Sequence, residues 1–249
     1  MNKIFFIGGL GSNIMYIYDL QKQIQGCKIH YIDLPGHGLN YNVNINNLSD
    51  LITWFKDEID EDNLEDITII GHSLGADLLA YLSTHIKSIK NVILLDGGIF
   101  NLSELDYSID DEIIDTQNFI KDFSYDNLKN YIEKEKFDYK IWTENIERAT
   151  IAKVVYDLKQ NTYKLNINER NVLNLLKLRR NIKLPLFNHL MDKNVLVLIP
   201  QEQPDMILKL KLEKLENNSK YKVISDCGHD IHVDNPKEVG EQIIDFISQ

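Results

Sequence analysis

The chain has 249 residues, 43% of them hydrophobic and 26% charged, the profile of a folded protein with one large core rather than a disordered chain. Twenty-seven basic residues against 38 acidic ones give a net charge of -11, which argues against a nucleic-acid partner and against docking on an anionic membrane. Two distant cysteines, Cys27 and Cys227, make neither a disulfide framework nor a metal site.

Apolar runs and helical periodicities alternate along the first hundred residues. A short apolar run at 3–7, stopped by Gly8-Gly9, reads as a buried strand rather than as a signal peptide. With no run long enough to span a bilayer, a cytoplasmic location without membrane insertion is the expectation. A helix is predicted over 13–25, a strand over 28–34 and a helix over 48–59. A strand at 66–70, a helix at 74–86 and a strand at 91–95 follow, the last ending at Asp96-Gly97-Gly98.

From 99 to 190 the pattern changes. No strand is convincing there, and helices are expected around 110–123, 125–135, 139–158 and 169–178. The alternation then resumes with a strand at 194–199, a helix at 204–215, a strand at 221–225 and a helix at 236–247. These elements predict an α/β fold: a mostly parallel sheet of about six strands with helices on both faces. The core is assigned to 1–98 and 191–249, with 99–190 inserted as an α-helical cap. All 12 glycines fall within 8–98 or 228–240, so tight backbone geometry is confined to the two core segments.

The strongest chemical signal is Gly71-His72-Ser73-Leu74-Gly75, between a predicted strand and a predicted helix. A nucleophilic serine on so tight a turn needs glycine two residues to either side, because a side chain there collides with the turn. The helix N-terminus then offers the Leu74 N–H to a developing oxyanion. The loop Gly8-Gly9-Leu10-Gly11-Ser12 supplies the second candidate donor, the Leu10 N–H, with Gly9 as a weaker candidate. It does not fit the dinucleotide fingerprint Gly-x-Gly-x-x-Gly.

Gly228-His229 follows the last strand and so lies on the carboxyl edge of the sheet, where a general base must stand. His229 is preferred as the base. His232 is the alternative, although Ile231 and Val233 suggest that it packs within the loop. His37 and His72 read as structural.

These residues carry a resemblance. Gly71 to Gly75, Asp33-Leu34-Pro35-Gly36-His37-Gly38, and Cys227-Gly228-His229 followed by Asn235-Pro236 resemble the α/β-hydrolase superfamily over both core segments. The cap does not share it, the chain opens directly at the strand before the oxyanion loop, and that loop reads Gly8-Gly9 where many members have His-Gly. The resemblance implies a serine hydrolase with a Ser–His–acid triad, the acid standing just after the strand at 194–199. Glu202 is the first candidate and Asp205 the second, although Asp205 after Pro204 also suits a helix start. Asp96 ranks third.

The cap divides electrically: 101–138 carries 11 acidic and 4 basic residues, and 139–190 carries 4 acidic and 10 basic. Mutual pairing or solvation of the halves is preferred over an anionic-substrate site at Arg179 and Arg180. Tyr107, Phe119, Phe123, Tyr139 and Trp142 are candidates for an acyl pocket, although most of them are expected to serve helix packing.

The expected activity is hydrolysis of a small-molecule carboxylic ester or thioester through an acyl-enzyme on Ser73, an acyl transfer that needs no cofactor or metal. The alternatives are a lyase or carbon–carbon hydrolase using the same triad, and a ligand sensor acting through a protein partner.

Overall fold

The computed structural model describes residues 3–216 and 220–249; the first two residues and the glycosylation-like triplet Asn217-Asn218-Ser219 lie outside the described residues. Six strands form one parallel sheet: β1 (Ile4–Ile7), β2 (Ile29–Ile32), β3 (Ile67–His72), β4 (Ile89–Leu95), β7 (Asn194–Pro200) and β8 (Lys220–Ile224). Their spatial order is β2-β1-β3-β4-β7-β8. The strand carrying the serine motif, β3, therefore lies inside the sheet, with β1 and β4 as its neighbours.

The inner strands β1, β3, β4 and β7 are buried on both faces over most of their length, as their apolar runs require, while the edge strands β2 and β8 are partly exposed. Phe5 and Ile7 face one way, with Ile69, Val92, Leu94, Val197 and Ile199. They pack on α2 (Leu48–Ile59), α3 (Leu74–Ser83) and Leu215 of α8 (Asp205–Leu215). Ile4 and Phe6 face the other way, with Ile70, Ile93, Leu95, Leu198 and Ile224. That side is covered by α1 (Tyr18–Gln23), α9 (Ile231–Asp234) and α10 (Pro236–Ile247). Alternate residues of one strand thus serve two separate cores.

Between β4 and β7 the chain leaves the sheet. It forms α4 (Ile109–Asp122), α5 (Leu128–Glu135), α6 (Glu144–Ala152) and α7 (Glu169–Arg180). It also forms an antiparallel hairpin of β5 (Val154–Asp157) and β6 (Thr162–Leu165), which corrects the expectation of a wholly helical insertion. The helix expected over 139–158 ends at Ala152 because Val154-Val155-Tyr156 pairs with Tyr163 and its neighbours across a turn. β-Branched and aromatic residues favour that pairing. Asn161, at φ 58°, supplies the left-handed residue of the turn.

The neck of the insertion is tied by Asn101, whose Nδ2 donates to the Leu184 carbonyl at 2.8 Å. Helix α7 does not sit apart from the core: Val172, Leu175 and Leu176 join the same apolar cluster as α3. The charged halves of the insertion meet where Lys153 lies 3.5 Å from Glu135 and, more deeply, in a buried cluster. Glu112 on α4 accepts from both Arg179 and Arg180 on α7. Asp77 on α3 lies 3.7 Å from Arg179 Nε.

Removing one partner of such a cluster strands buried charge. Glu112→Gln should lower unfolding stability by about 3 kcal/mol or more. Urea denaturation checks this, and a change within the noise would contradict a buried ionic tie.

Candidate active site

The turn between β3 and α3 places Ser73 at φ 54° and ψ -121°, a conformation that a side chain adopts only under constraint. The constraint comes from close backbone. A Cβ on Gly75 would lie 2.5 Å from the carbonyl oxygens of Ile7 and Gly8, and one on Gly71 would lie 2.8 Å from Ala76 Cα. Both positions therefore exclude any larger residue, and α3 is packed directly over the end of β1.

Ser73 Oγ lies 2.9 Å from His229 Nε2, and His229 Nδ1 lies 2.6 Å from Asp96 Oδ2. A carboxylate only accepts, so His229 carries its proton on Nδ1 and presents Nε2 to the serine hydroxyl. The three side chains come from the ends of β3 and β4 and from the loop after β8. Asp96 is itself held at φ 49° at the end of β4.

The structure brings together Ser73 and His229 but neither of the first two acid candidates, which is a correction. Glu202 is half-exposed and pairs with Lys140. Asp205 sits in the first turn of α8 behind Pro204, where a carboxylate suits the helix dipole. The acid at His229 is the third candidate, Asp96. It lies at the end of β4, the strand next to the serine's own, whereas Glu202 and Asp205 follow β7, one strand further away.

His232, the alternative base, is buried with its ring 4.6 Å from that of His72. Burial pushes it down to about 3, so it stays neutral. His72 Nε2 lies 3.0 Å from the backbone carbonyl of His229 and thereby ties the base's own loop to β3. His37 also braces, but over a longer distance than its own turn: its Nε2 accepts from the Gly11 N–H at 2.9 Å. That bond fixes the loop carrying Leu10.

Among the described residues, neither the Leu10 N–H nor the Leu74 N–H is hydrogen-bonded to a protein acceptor. Both residues line the same cavity as Ser73.

Partial burial pushes the His229 imidazole down. The hydrogen bond and charge of Asp96, with the charge of Asp230, outweigh this and hold it above the 6.5 of a free imidazole. Burial raises Asp96, but His229 and Lys211 together bring it below the usual carboxylate range. Lys211 of α8 donates to Asp96 Oδ1 and to Gln203 Oε1. Sequence reasoning missed this lysine. The available signal was its position between Leu208 and Leu215 on the inward side of an amphipathic helix.

Two cavities meet at Ser73 and His229. One, of about 300 Å³, is walled mainly by Leu10, Leu74, Ile99, Phe100, Leu102 and Leu176. The charged side chains of Asp77, Asp96, Glu112, Arg179 and Lys211 also line it. The other, of about 210 Å³, is polar, with Ser12, Tyr16, Tyr139, Lys153 and Asp230 in its wall. Of the five aromatic residues proposed for an acyl pocket, none lines the apolar cavity and Tyr139 lines the polar one. Phe123 instead packs on Tyr131 beneath the hairpin, and Trp142 packs near Tyr16.

The model of the alpha/beta hydrolase family matches residues 4–242, and the chain belongs to that family. Among solved structures it is similar to an E-2-(acetamidomethylene)succinate hydrolase, with a TM-score of 0.77 at 16% identity, covering 100% of this chain and 92% of that one. It is also similar to the thioesterase domain of the curacin biosynthetic pathway (TM-score 0.70, 15% identity, 98% and 91% covered). A third likeness is to MenH from S. aureus (TM-score 0.67, 19% identity, 99% and 93% covered). No curated protein matches the sequence. No described helix is long and apolar enough to cross a membrane.

Asp96 is the carboxylate in contact with His229. If Asp96 orients His229, Asp96→Asn should lower turnover by about 10⁴-fold, as loss of the correct tautomer does elsewhere. Glu202→Gln and Asp205→Asn should stay within about threefold of the parent, as surface changes usually do. Comparable losses in all three would contradict the assignment.

Proposed function

We propose that the protein is a serine hydrolase of small-molecule carboxylic esters or thioesters. The observation that carries this reading is the continuous hydrogen-bonded chain from Ser73 Oγ through His229 to Asp96, opening onto a cavity with two free backbone donors.

In this mechanism His229 Nε2 takes the Ser73 proton as Oγ attacks the carbonyl carbon. The resulting oxyanion is stabilised by the N–H groups of Leu10 and Leu74. His229, now charged and held by Asp96, returns the proton to the leaving alcohol or thiol. Water, activated by the same imidazole, then releases the acid.

The cavities bear on the substrate class. The apolar cavity suits an uncharged hydrocarbon portion of modest size. Of the charged groups in its wall, Asp77, Glu112 and Arg179 form one cluster with Arg180 behind them, two acids and two bases that pair with one another. Arg180 is further engaged by the backbone carbonyls of Tyr107 and Ser108. That balance gives an anionic acyl group no net attraction and favours the paired reading of the cap over the anionic-substrate one.

A fluorophosphonate probe should label the protein rapidly, and Ser73→Ala should abolish labelling. Absence of labelling alongside tight small-molecule binding would overturn the hydrolase reading in favour of a ligand sensor. Across a series of neutral esters, kcat/KM should rise by about fourfold per added methylene, the equivalent of about 0.8 kcal/mol, until the cavity is full. A preference for anionic acyl groups would contradict this assignment of the cavity.

The base must be neutral to act, so kcat/KM should fall as pH drops through the pKa of His229. The midpoint of that acid limb should lie above 6.5. A pH–rate profile with its midpoint below that value would show that the Asp96 contact does not persist in solution.

A further inference from the structure

Lys211 has no role in the proton transfers just described, yet it is one of the most deeply placed charges in the molecule. Its side chain is 7% exposed and that of Asp96 is 5% exposed. A buried ammonium is costly unless it is paired and fully hydrogen-bonded. Here it is paired with a carboxylate and makes two hydrogen bonds: Nζ donates to Asp96 Oδ1 at 2.5 Å and to Gln203 Oε1 at 2.5 Å. Gln203 is in turn fixed by its Nε2, which donates to the carbonyl of Pro200 at the end of β7.

The two oxygens of Asp96 are thus divided. Oδ2 serves His229 and Oδ1 serves Lys211. A neutral donor on Oδ1 would hold the carboxylate in place equally well. A lysine brings a full positive charge as well, so His229 faces a carboxylate whose charge is already offset.

We propose that Lys211 is a positioning residue of the active site, orienting Asp96 towards His229 while offsetting its charge so that His229 stays a neutral base close to physiological pH. The inference rests on the hydrolase reading only for its consequence in turnover. The effect on His229 itself is independent of any substrate.

The other charged and titratable groups around His229 do not take over this task. Asp230, beside it in the chain, adds negative charge and works in the opposite direction. His72, with its ring 4.9 Å away, is kept neutral by burial, as is His232 behind it. Lys153 of the insertion lines the polar cavity, but it lies 3.5 Å from Glu135, which takes up its charge. Tyr16 and Tyr139, which also line that cavity, are raised by burial and stay neutral. Lys211 is therefore the cation that acts on the triad acid.

The experiment is a ¹³C-histidine NMR titration of the whole protein, read at His229, in the parent, Lys211→Met, Lys211→Arg and Gln203→Glu proteins. Lys211→Met should raise the His229 pKa by about one unit or more, the usual scale for one close charge. Lys211→Arg, which keeps the charge, should leave it within about 0.3 units, a small fraction of a single-charge effect. Gln203→Glu, which draws Lys211 away with a second carboxylate, should raise it by an intermediate amount. This variant keeps the test open if Lys211→Met does not fold.

In turnover, Lys211→Met should lose about tenfold or more at pH 6.5, corresponding to one pKa unit, and recover most of it above pH 8. An unmoved His229 pKa in Lys211→Met, or in Gln203→Glu where the former does not fold, would overturn the proposal. So would an equal loss of activity at every pH. If no substrate is turned over at all, the hydrolase reading falls, while the titration still decides the role of Lys211.

Discussion

The arrangement of this site depends on one tight turn. Ser73 is held in an unfavourable backbone conformation because α3 must begin against the ends of β1 and β3. The backbone at Gly75 approaches the Ile7 and Gly8 carbonyls so closely that α3 cannot shift without opening the sheet. That same approach brings the loop carrying Leu10 next to the N-terminus of α3. The serine hydroxyl and two free N–H groups are therefore delivered to one place by a single packing constraint. Strain of this kind persists only where the surroundings over-determine it, and here two buried cores flank the turn.

Around that turn, charge is arranged in locally balanced groups. Asp96 sits between His229 and Lys211, and Glu112 sits between Arg179 and Arg180, with Asp77 beside them. Buried charge is tolerated when it is paired and hydrogen-bonded. The balance also shapes the chemistry. Burial raises Asp77 to about 6 despite the attraction of Arg179, whereas Asp96 stays ionised because two donors hold it. Two carboxylates near the same cavity thus have different characters, set by their partners and not by their depth.

The insertion contributes to both the core and the site. Helix α7 packs Val172 and Leu175 into the main apolar cluster and carries Arg179 to the wall of the apolar cavity. Lys153 and Tyr139 reach the polar cavity from the same insertion. The insertion thus supplies part of the wall of the apolar cavity and two residues of the polar one, while Ser73, His229 and Asp96 come from the core segments.

The sheet, its parallel character, the strand-to-helix turn at Ser73 and the histidine loop after the last strand are all legible in the amino-acid order. Each of these rests on local signals: apolar runs of strand length, glycines where a Cβ would collide, and a motif bounded by its own strand and helix. The hairpin at 154–165 escaped notice because its strands are four residues each and are half exposed, so their periodicity is weak. The acid was open for a different reason. Asp96, Glu202 and Asp205 all stand near strand ends, and nothing local ranks them; only the folded positions of the side chains, with Asp96 against His229 and Glu202 paired with Lys140, decide which carboxylate meets His229. Lys211 likewise acquires its meaning from a contact 115 residues away in the chain. Local backbone geometry is encoded in short stretches of sequence. Which distant charges meet follows from how the whole chain packs, and no short stretch carries that information.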